Sequence, residues 1–194
     1  NLTNPDVIYW AENKDRTAAD TQRINVLNML ETLGPQPGNI AAGCTYTMTP
    51  VPNYTLCTDA DDVTQLTDQL IYTGGTRLWT QFGCVGWQNS SNPTITVDLN
   101  GLRVINGVSF RTAAGSSGVY WPSAINVSFS NDGTSYSTPI ELTALSNAQN
   151  GSPPSTYSVW RYHIESLNAY GRFVKFQIIG TPYTFVDEIE IYKN

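Results

Sequence analysis

Residues 186–192 read Val-Asp-Glu-Ile-Glu-Ile-Tyr, a run in which isoleucines alternate with carboxylates. This alternation predicts a β-strand with one buried face. Far upstream, a polar loop runs from Leu66-Thr67-Asp68-Gln69 to Thr76-Arg77-Leu78-Trp79. Hard oxygen ligands from two distant segments are typical of bound calcium. The strand and the loop therefore predict a closed β-sandwich in which the late strand returns beside an early loop, tied by a cation rather than forming a catalytic centre.

Three other segments alternate apolar and polar residues in the same way, namely 94–99, 125–129 and 174–178. Turn-forming residues lie between the predicted strands: Asn100-Gly101, Asn106-Gly107, Asn131-Asp132-Gly133 and Tyr170-Gly171. Residues 146–156 are polar and contain two prolines, which predicts a long loop. Many short strands joined by Gly and Asn turns predict an all-β, antiparallel β-sandwich of the jelly-roll type.

The beginning of the chain differs from the rest. Asn4-Pro5-Asp6 is typical of a helix start, and Gly34-Pro35 is typical of a helix end. Between them, Ile24, Leu27 and Leu30 recur at helical spacing. We therefore expect an N-terminal helical segment and linker over residues 1–40 and a β-sandwich over residues 41–194.

The charge balance limits the choice of partners. The chain has 10 Lys and Arg against 16 Asp and Glu, a net charge of −6, and no basic run. Nucleic acid and membrane partners are therefore not expected. No apolar stretch is long enough for a transmembrane helix. The weakly charged composition, rich in Thr, Ser and Asn, suggests a protein that is secreted or exposed at the cell surface. The first residue, Asn1, suggests a fragment of a longer protein. We expect this fragment to be a monomer.

Cysteine and histidine are scarce. Cys44, Cys57 and Cys84 allow one disulfide, with Cys44–Cys84 and Cys44–Cys57 as the pairings considered, or three buried thiols. Their spacing and the single histidine, His163, argue against zinc. His163 lies in a predicted strand, so a structural role is favoured over general base catalysis.

Several motifs, taken in order, carry a resemblance to a known family. They lie at residues 66–68, 76–79, 94–99, 105–110, 125–133, 171–174 and 187–192. From about Cys44 onward the chain resembles the discoidin-like (coagulation factor type C) domains. This resemblance implies a galactose-binding-like jelly roll, a superfamily that includes many bacterial carbohydrate-binding modules attached to glycoside hydrolases and polysaccharide lyases.

The resemblance also implies a structural calcium ion. Its ligands, carried over by motif, are Leu66, Asp68, Thr76 and Glu188. The chain departs from the family at Gln69, where the family usually has glycine, and in a longer insert at residues 71–75.

Aromatic rings and arginines are the candidates for ligand recognition. Aromatic rings pack on the C–H faces of sugars, and arginine pairs with hydroxyls or carboxylates. In such modules, loops at one end of the sandwich usually hold the ligand. The candidate carbohydrate-binding residues are Trp121, Tyr120, Arg111, Arg161 and Tyr183.

We therefore expect a non-catalytic carbohydrate-binding module that brings an attached glycoside hydrolase or polysaccharide lyase to a polysaccharide. Because arginine can pair with carboxylates, this polysaccharide could be acidic. Two alternatives stay open. One is an adhesion module that binds proteins or cell surfaces, and the other is a small jelly-roll lyase or hydrolase.

Overall fold

A computed structural model describes residues 38–71, 76–90, 92–180 and 182–193. Within these ranges the chain forms ten β-strands, three short 3-10 helices and one α-helix. The strands are β1 (Gly38–Asn39), β2 (Tyr46–Thr49), β3 (Val85–Gln88), β4 (Thr94–Ile105), β5 (Gly107–Ala114), β6 (Ala124–Ser130), β7 (Ile140–Glu141), β8 (Ser158–Ile164), β9 (Ala169–Ile179) and β10 (Tyr183–Lys193). The 3-10 helices are Ala60–Val63, Gln65–Thr67 and Leu78–Thr80, and the α-helix, α1, is Leu142–Asn150.

The strands form two antiparallel sheets. Sheet A has the order β1-β10-β5-β8, with β3 also paired to β10, and sheet B has the order β2-β4-β9-β6-β7. The predicted all-β sandwich of antiparallel strands is confirmed. No helix among the described residues is long and apolar enough to cross a membrane.

The predicted N-terminal helical segment lies outside the described residues. Of residues 1–40, the structure describes only 38–40, and Gly38–Asn39 form β1 against the end of β10. The described compact unit runs from Gly38 to Lys193.

The main core lies between the sheets, where the predicted alternation is realised. Ile95, Val97 and Leu99 of β4 are buried, as are Val174, Phe176 and Ile178 of β9. Burial of each such side chain contributes about 1.5–3 kcal/mol.

A second apolar cluster covers the opposite face of sheet A. Val186 belongs to the main core, whereas its neighbour Phe185 packs with Trp79, Cys84 and other residues outside that core. The cluster includes residues of the segment between β2 and β3, among them Cys57 and Leu78, and Trp79 and Phe185 contact each other with ring centroids 5.3 Å apart. Loop residues such as Leu78 and Val119 are therefore buried against this apolar cluster.

All three thiols are free and buried. Cys44 lies in the main core, whereas Cys57 and Cys84 lie in the second cluster. Neither pairing considered from the sequence is formed, because both require Cys44.

Three predicted loops or turns are different in the structure. Asn100-Gly101 lies inside β4, where the pairing with β9 shifts register between Asp98 and Arg103 and Asn100 has a φ of +58°. Gly171 lies inside β9, where a Cβ would lie 3.0 Å from the Ser130 carbonyl oxygen. Residues 146–150 of the predicted loop 146–156 belong to α1, whereas residues 151–156 lie outside any helix or strand. Polar residues of α1 bond neighbouring strands. The Ser146 hydroxyl accepts from the His163 N–H at 3.0 Å.

Candidate functional site

The strand quoted first does meet the polar loop. The 3-10 helix Gln65–Thr67 packs against β10. Around this contact lie three carboxylates, Asp68, Asp187 and Glu188, which we call the acidic seam.

A bulge in β10 produces the seam. Val186 pairs with Thr112 and Glu188 pairs with Arg111, so Asp187 and Glu188 together oppose one residue of β5. In a regular strand, consecutive side chains point to opposite faces, whereas a bulge changes that alternation. Both carboxylates are consequently buried, with Asp187 0% and Glu188 1% exposed.

Asp187 is paired with a cation. A guanidinium Nη1 of Arg111 donates to its Oδ2, and the Arg111 side chain is only 14% exposed. Arg111 was a candidate for sugar binding in the sequence, but the structure commits it to this internal ion pair.

Glu188 has no such partner. Neither carboxylate oxygen accepts a hydrogen bond of good geometry from the described residues. Burial raises the pKa of Glu188 to about 8, and the charges of Asp68 and Glu190 add to the rise, while the Gln69 N–H and Arg111 lower it. A bound cation would reverse this balance, because it stabilises the ionised carboxylate.

The loop beside Glu188 is held in one conformation. The Leu66 N–H donates to the Tyr46 hydroxyl at 3.1 Å, and the Gly43 N–H donates to the Thr67 carbonyl at 2.7 Å. Asp68 accepts from the Leu70 N–H at 2.7 Å. Gln69 has a φ of +67°, so it adopts the left-handed backbone that glycine provides without strain.

The structure thus brings Leu66, Asp68 and Glu188 together. Thr76 lies beyond residues 72–75, which are not described, and its carbonyl accepts from Gln81 at 3.0 Å. No group of three or more His, Cys, Asp or Glu side chains that could hold a metal occurs among the described residues. A cation at the seam would therefore need main-chain or hydroxyl oxygens beside its carboxylates.

A second candidate site is the end of the sandwich where β5 and β9 finish and β4 and β10 begin. We call this the loop end, and it comprises residues 50–58, 76–84, 115–123 and 150–157 together with Tyr183 at the start of β10. Its loops are joined by side-chain bonds. The Leu78 N–H donates to the Tyr157 hydroxyl at 2.9 Å, and the Trp121 indole donates to the Pro154 carbonyl at 2.8 Å.

Aromatic residues at the loop end divide into anchors and exposed rings. Trp121 is half-buried and contacts Tyr162 edge to face, with ring centroids 6.4 Å apart. Tyr183 is half-buried and stacks on Phe185. Tyr120, in contrast, is 67% exposed. Trp121 therefore fixes the loop from which Tyr120 projects.

Arg161, the last candidate, lies away from this end. It projects from β8, donates to the Ser109 hydroxyl at 2.6 Å and the Tyr192 hydroxyl at 2.5 Å, and pairs with Glu190 at 2.9 Å. The structure therefore brings Tyr120 and Trp121 together but leaves Arg111 and Arg161 in separate ion pairs.

These features lie within a recognised domain. The family model described as "F5/8 type C domain" matches residues 61–189, which include the loop at Leu66, the loop end except residues 50–58, and β10 up to Ile189. The chain belongs to the F5/8 type C domain family. The discoidin-like resemblance deduced from the motifs is confirmed.

Solved structures share the fold of this F5/8 type C domain. CpGH89CBM32-5 from Clostridium perfringens, solved with GalNAc-β-1,3-galactose, is 14% identical, with 80% of this chain and 99% of that chain covered and a TM-score of 0.52. The lectin domain of lectinolysin, complexed with Lewis B antigen, is 14% identical over 81% of this chain and 97% of that chain, with a TM-score of 0.52. A fucolectin from striped bass (Morone saxatilis) serum is 15% identical, with 81% of this chain and 49% of that chain covered and a TM-score of 0.53. No curated protein matches the chain.

One exposed ring of this F5/8 type C domain escaped the sequence analysis. Phe82 is 69% exposed in the loop before β3. The sequence signal was the Phe82-Gly83 pair, an aromatic residue next to a turn residue between two buried segments, Leu78-Trp79 and Cys84-Val85.

Proposed function

We propose that this F5/8 type C domain is a non-catalytic carbohydrate-binding module whose loop end holds a glycan. The observation that carries the proposal is Tyr120, an exposed ring on a loop that the packed Trp121 anchors. Such a ring offers an apolar face to the C–H side of a sugar at little entropic cost, because its support is already fixed. Relatives of the same fold that were solved with glycans support this choice of ligand class.

Charge at the candidate residues favours a neutral glycan. The arginines that would have selected an acidic sugar are engaged, Arg111 by Asp187 and Arg161 by Glu190. The net charge of −6 acts in the same direction. We therefore propose a neutral polysaccharide or glycan, and the predicted contacts of Arg111 and Arg161 with it stay predictions, since both side chains are engaged in ion pairs.

We expect Tyr120→Ala to weaken glycan binding roughly tenfold, the size of an aromatic contact of about 1.4 kcal/mol. A glycan array with the full chain identifies the ligand, and calorimetry then compares the variant with the parent. Tyr170→Ala is the matched control, because Tyr170 is 52% exposed at the opposite end of β9. Equal losses in the two variants, or no loss in Tyr120→Ala, would contradict the assignment. An array without any bound glycan would contradict the function itself.

We also propose that the acidic seam binds a structural calcium ion. Glu188 supplies a buried carboxylate that accepts no hydrogen bond of good geometry from the described residues, and Asp68 supplies a second acidic group close to it. The left-handed Gln69 keeps the backbone that the family achieves with glycine, which supports a retained loop geometry. Leu66 and Thr76 would contribute oxygens. The ion would neutralise charge in the seam and stabilise the fold.

In its biological setting, we propose that the module is a monomer at the cell surface or in the extracellular space. There it would tether an attached glycoside hydrolase or polysaccharide lyase to its substrate. Tethering raises the local concentration of substrate without any new contact. Reduced activity of the full-length protein on insoluble but not soluble substrate, after Tyr120→Ala, would support this arrangement. An equal reduction on both substrates would contradict it.

One observation favours a second candidate, an adhesion module that binds a protein surface. Val51, Leu56 and Phe82 are exposed by 73%, 56% and 69%, respectively, on loops of the loop end. Exposed apolar residues clustered on loops are typical of protein-binding surfaces. Phe82→Ser would then abolish binding to a protein partner while leaving glycan binding intact.

A further inference from the structure

The outer face of sheet B carries a groove that the proposed function does not use. Its volume is about 560 Å³, and it is lined by strands β2, β4 and β9 and by Tyr136 from the loop after β6. Its floor contains four threonines in two cross-strand pairs, Thr47 with Thr96 and Thr49 with Thr94. We call this site the threonine groove.

The threonines form a regular array because of sheet geometry. On β4, Thr94 and Thr96 alternate with the buried Ile95 and Val97, so both hydroxyl-bearing side chains project outward. Neighbouring strands lie about 4.8 Å apart, and residues two apart on a strand lie about 6.8 Å apart. β-Branched threonine is also stiff, so the hydroxyls are held with little rotamer freedom to lose on binding.

Tyr136 forms one wall of the groove and is fixed from two sides. The Lys175 Nζ lies 3.3 Å from the centre of its ring. Burial raises the pKa of Tyr136, and a hydrogen bond with the Thr96 side chain opposes that rise. The wall is therefore built before any ligand arrives.

The loop that carries Tyr136 is ordered by Asp132. The Thr134 and Ser135 N–H groups each donate to its Oδ1 at 2.8 Å. Gly133 has a φ of +76°, and a Cβ there would lie 3.3 Å from the Phe173 ring, so glycine lets the loop lie close against the sheet.

The carboxylate of the groove is already paired with a cation. Asp98 receives two hydrogen bonds from Arg172, at 2.7 and 2.6 Å, which hold its pKa below the usual range. The Lys175 ammonium lies over Tyr136. Apart from this ammonium, the groove offers neutral hydroxyls beside an aromatic ring. The loop that carries Tyr136 makes this part of the sheet surface concave.

We propose that the threonine groove is a second glycan-binding site, separate from the loop end, that takes a neutral polysaccharide segment. Its hydroxyls would bond sugar hydroxyls, and the Tyr136 ring would contact the C–H face of a sugar. The ligand class rests on the proposed function, whereas the location rests on the groove itself.

The test is a ¹H–¹⁵N NMR titration of the full chain with cellohexaose, mannohexaose, laminarihexaose and GalNAc-β-1,3-galactose. We expect at least one of them to shift amides of Thr47, Thr96 and Lys175. Thr47→Val keeps the β-branched shape and should weaken the affinity read from these amides roughly 2- to 10-fold, as expected for one hydrogen bond. Tyr136→Ala should weaken it roughly tenfold. The loop-end affinity should stay unchanged in both, and Thr138→Val, an exposed threonine outside the groove, should change neither.

The outcomes separate the two proposals. Shifts confined to the loop end would overturn the second site and leave the proposed function standing. Shifts confined to the groove would support the second site and overturn the assignment of the loop end. If no oligosaccharide shifts any amide, carbohydrate binding fails and the ligand class proposed for the groove fails with it. Stronger groove shifts with hexagalacturonate than with the neutral sugars would overturn the neutral ligand.

Discussion

Replacement of Arg111 by methionine should destabilise the domain by about 3–5 kcal/mol, the usual result of removing one partner of a buried ion pair. Asp187 is fully buried, and Arg111 is the cation that bonds its Oδ2. Methionine retains much of the apolar stem, so the loss reports the removal of the cation beside Asp187 rather than a large cavity. Glu188 should add to the loss, since the Arg111 charge also lowers its pKa. Urea unfolding of the parent and the variant measures the difference.

The control for Arg111→Met is Arg161→Met. Arg161 also pairs with a carboxylate of β10, but its side chain is 43% exposed and that of Glu190 is 23% exposed. Such a pair contributes about 0–1 kcal/mol. The double variant Arg111→Met, Asp187→Leu should recover part of the stability, because the carboxylate that had lost its cation is also removed. Equal effects of the two arginine variants would show that the Arg111–Asp187 pair is not the source of the loss.

Removal of calcium should lower the melting temperature by roughly 5–10 °C. A ligand at a hundredfold excess over its Kd stabilises the folded state by about 2.7 kcal/mol, and each kcal/mol is worth about 2–4 °C for a domain of this size class. The physical cause is the buried Glu188, whose ionised form needs a cation to balance it. Differential scanning calorimetry with EDTA, and again after calcium is restored, measures the shift.

Glu188→Gln provides the matched variant for the calcium experiment. The neutral amide has nearly the same shape as the carboxylate but carries no negative charge to attract calcium. The variant should therefore no longer bind the ion, and its melting temperature should no longer respond to EDTA. Without calcium, the variant should be at least as stable as the parent, because it no longer buries a carboxylate that lacks hydrogen bonds. Magnesium should not replace calcium, since it requires a smaller octahedral site. Identical melting curves with and without EDTA, together with no calcium by elemental analysis, would sink the proposal.

The regular strands were predictable because their pattern is local. Residues 94–99 and 174–178 alternate in the sequence, and the same alternation appears as buried and exposed faces of β4 and β9. Turn residues were less reliable. Asn100 and Gly171 both lie within strands. The left-handed backbone of Asn100 accompanies a register shift in β4, and the missing Cβ of Gly171 allows a close approach of the Ser130 backbone.

The candidate site was predictable only in part, for a physical reason. The contact between the Leu66 loop and Glu188 followed from motifs, because their order in the chain marks one topology. The partner of Arg111 could not be read from the sequence. That ion pair depends on the bulge at Asp187, and the bulge arises from the register between β5 and β10. Similarly, whether Tyr120 or Trp121 is exposed depends on the bond from the Trp121 indole to Pro154, on a loop distant in sequence.

The many pairings of β10 have a consequence for biosynthesis. This strand pairs with β1, β3 and β5, which come from the beginning and the middle of the described domain. It also supplies Asp187 and Glu188 of the acidic seam. Sheet A therefore cannot close until Lys193 has left the ribosome, and until then β3 and the β1 segment lack their partner. Sheet B, whose strands all precede β10, is able to assemble first. Until then the apolar face of sheet B lacks its complete cover, and transiently exposed apolar surface of this kind makes a folding chain prone to aggregation.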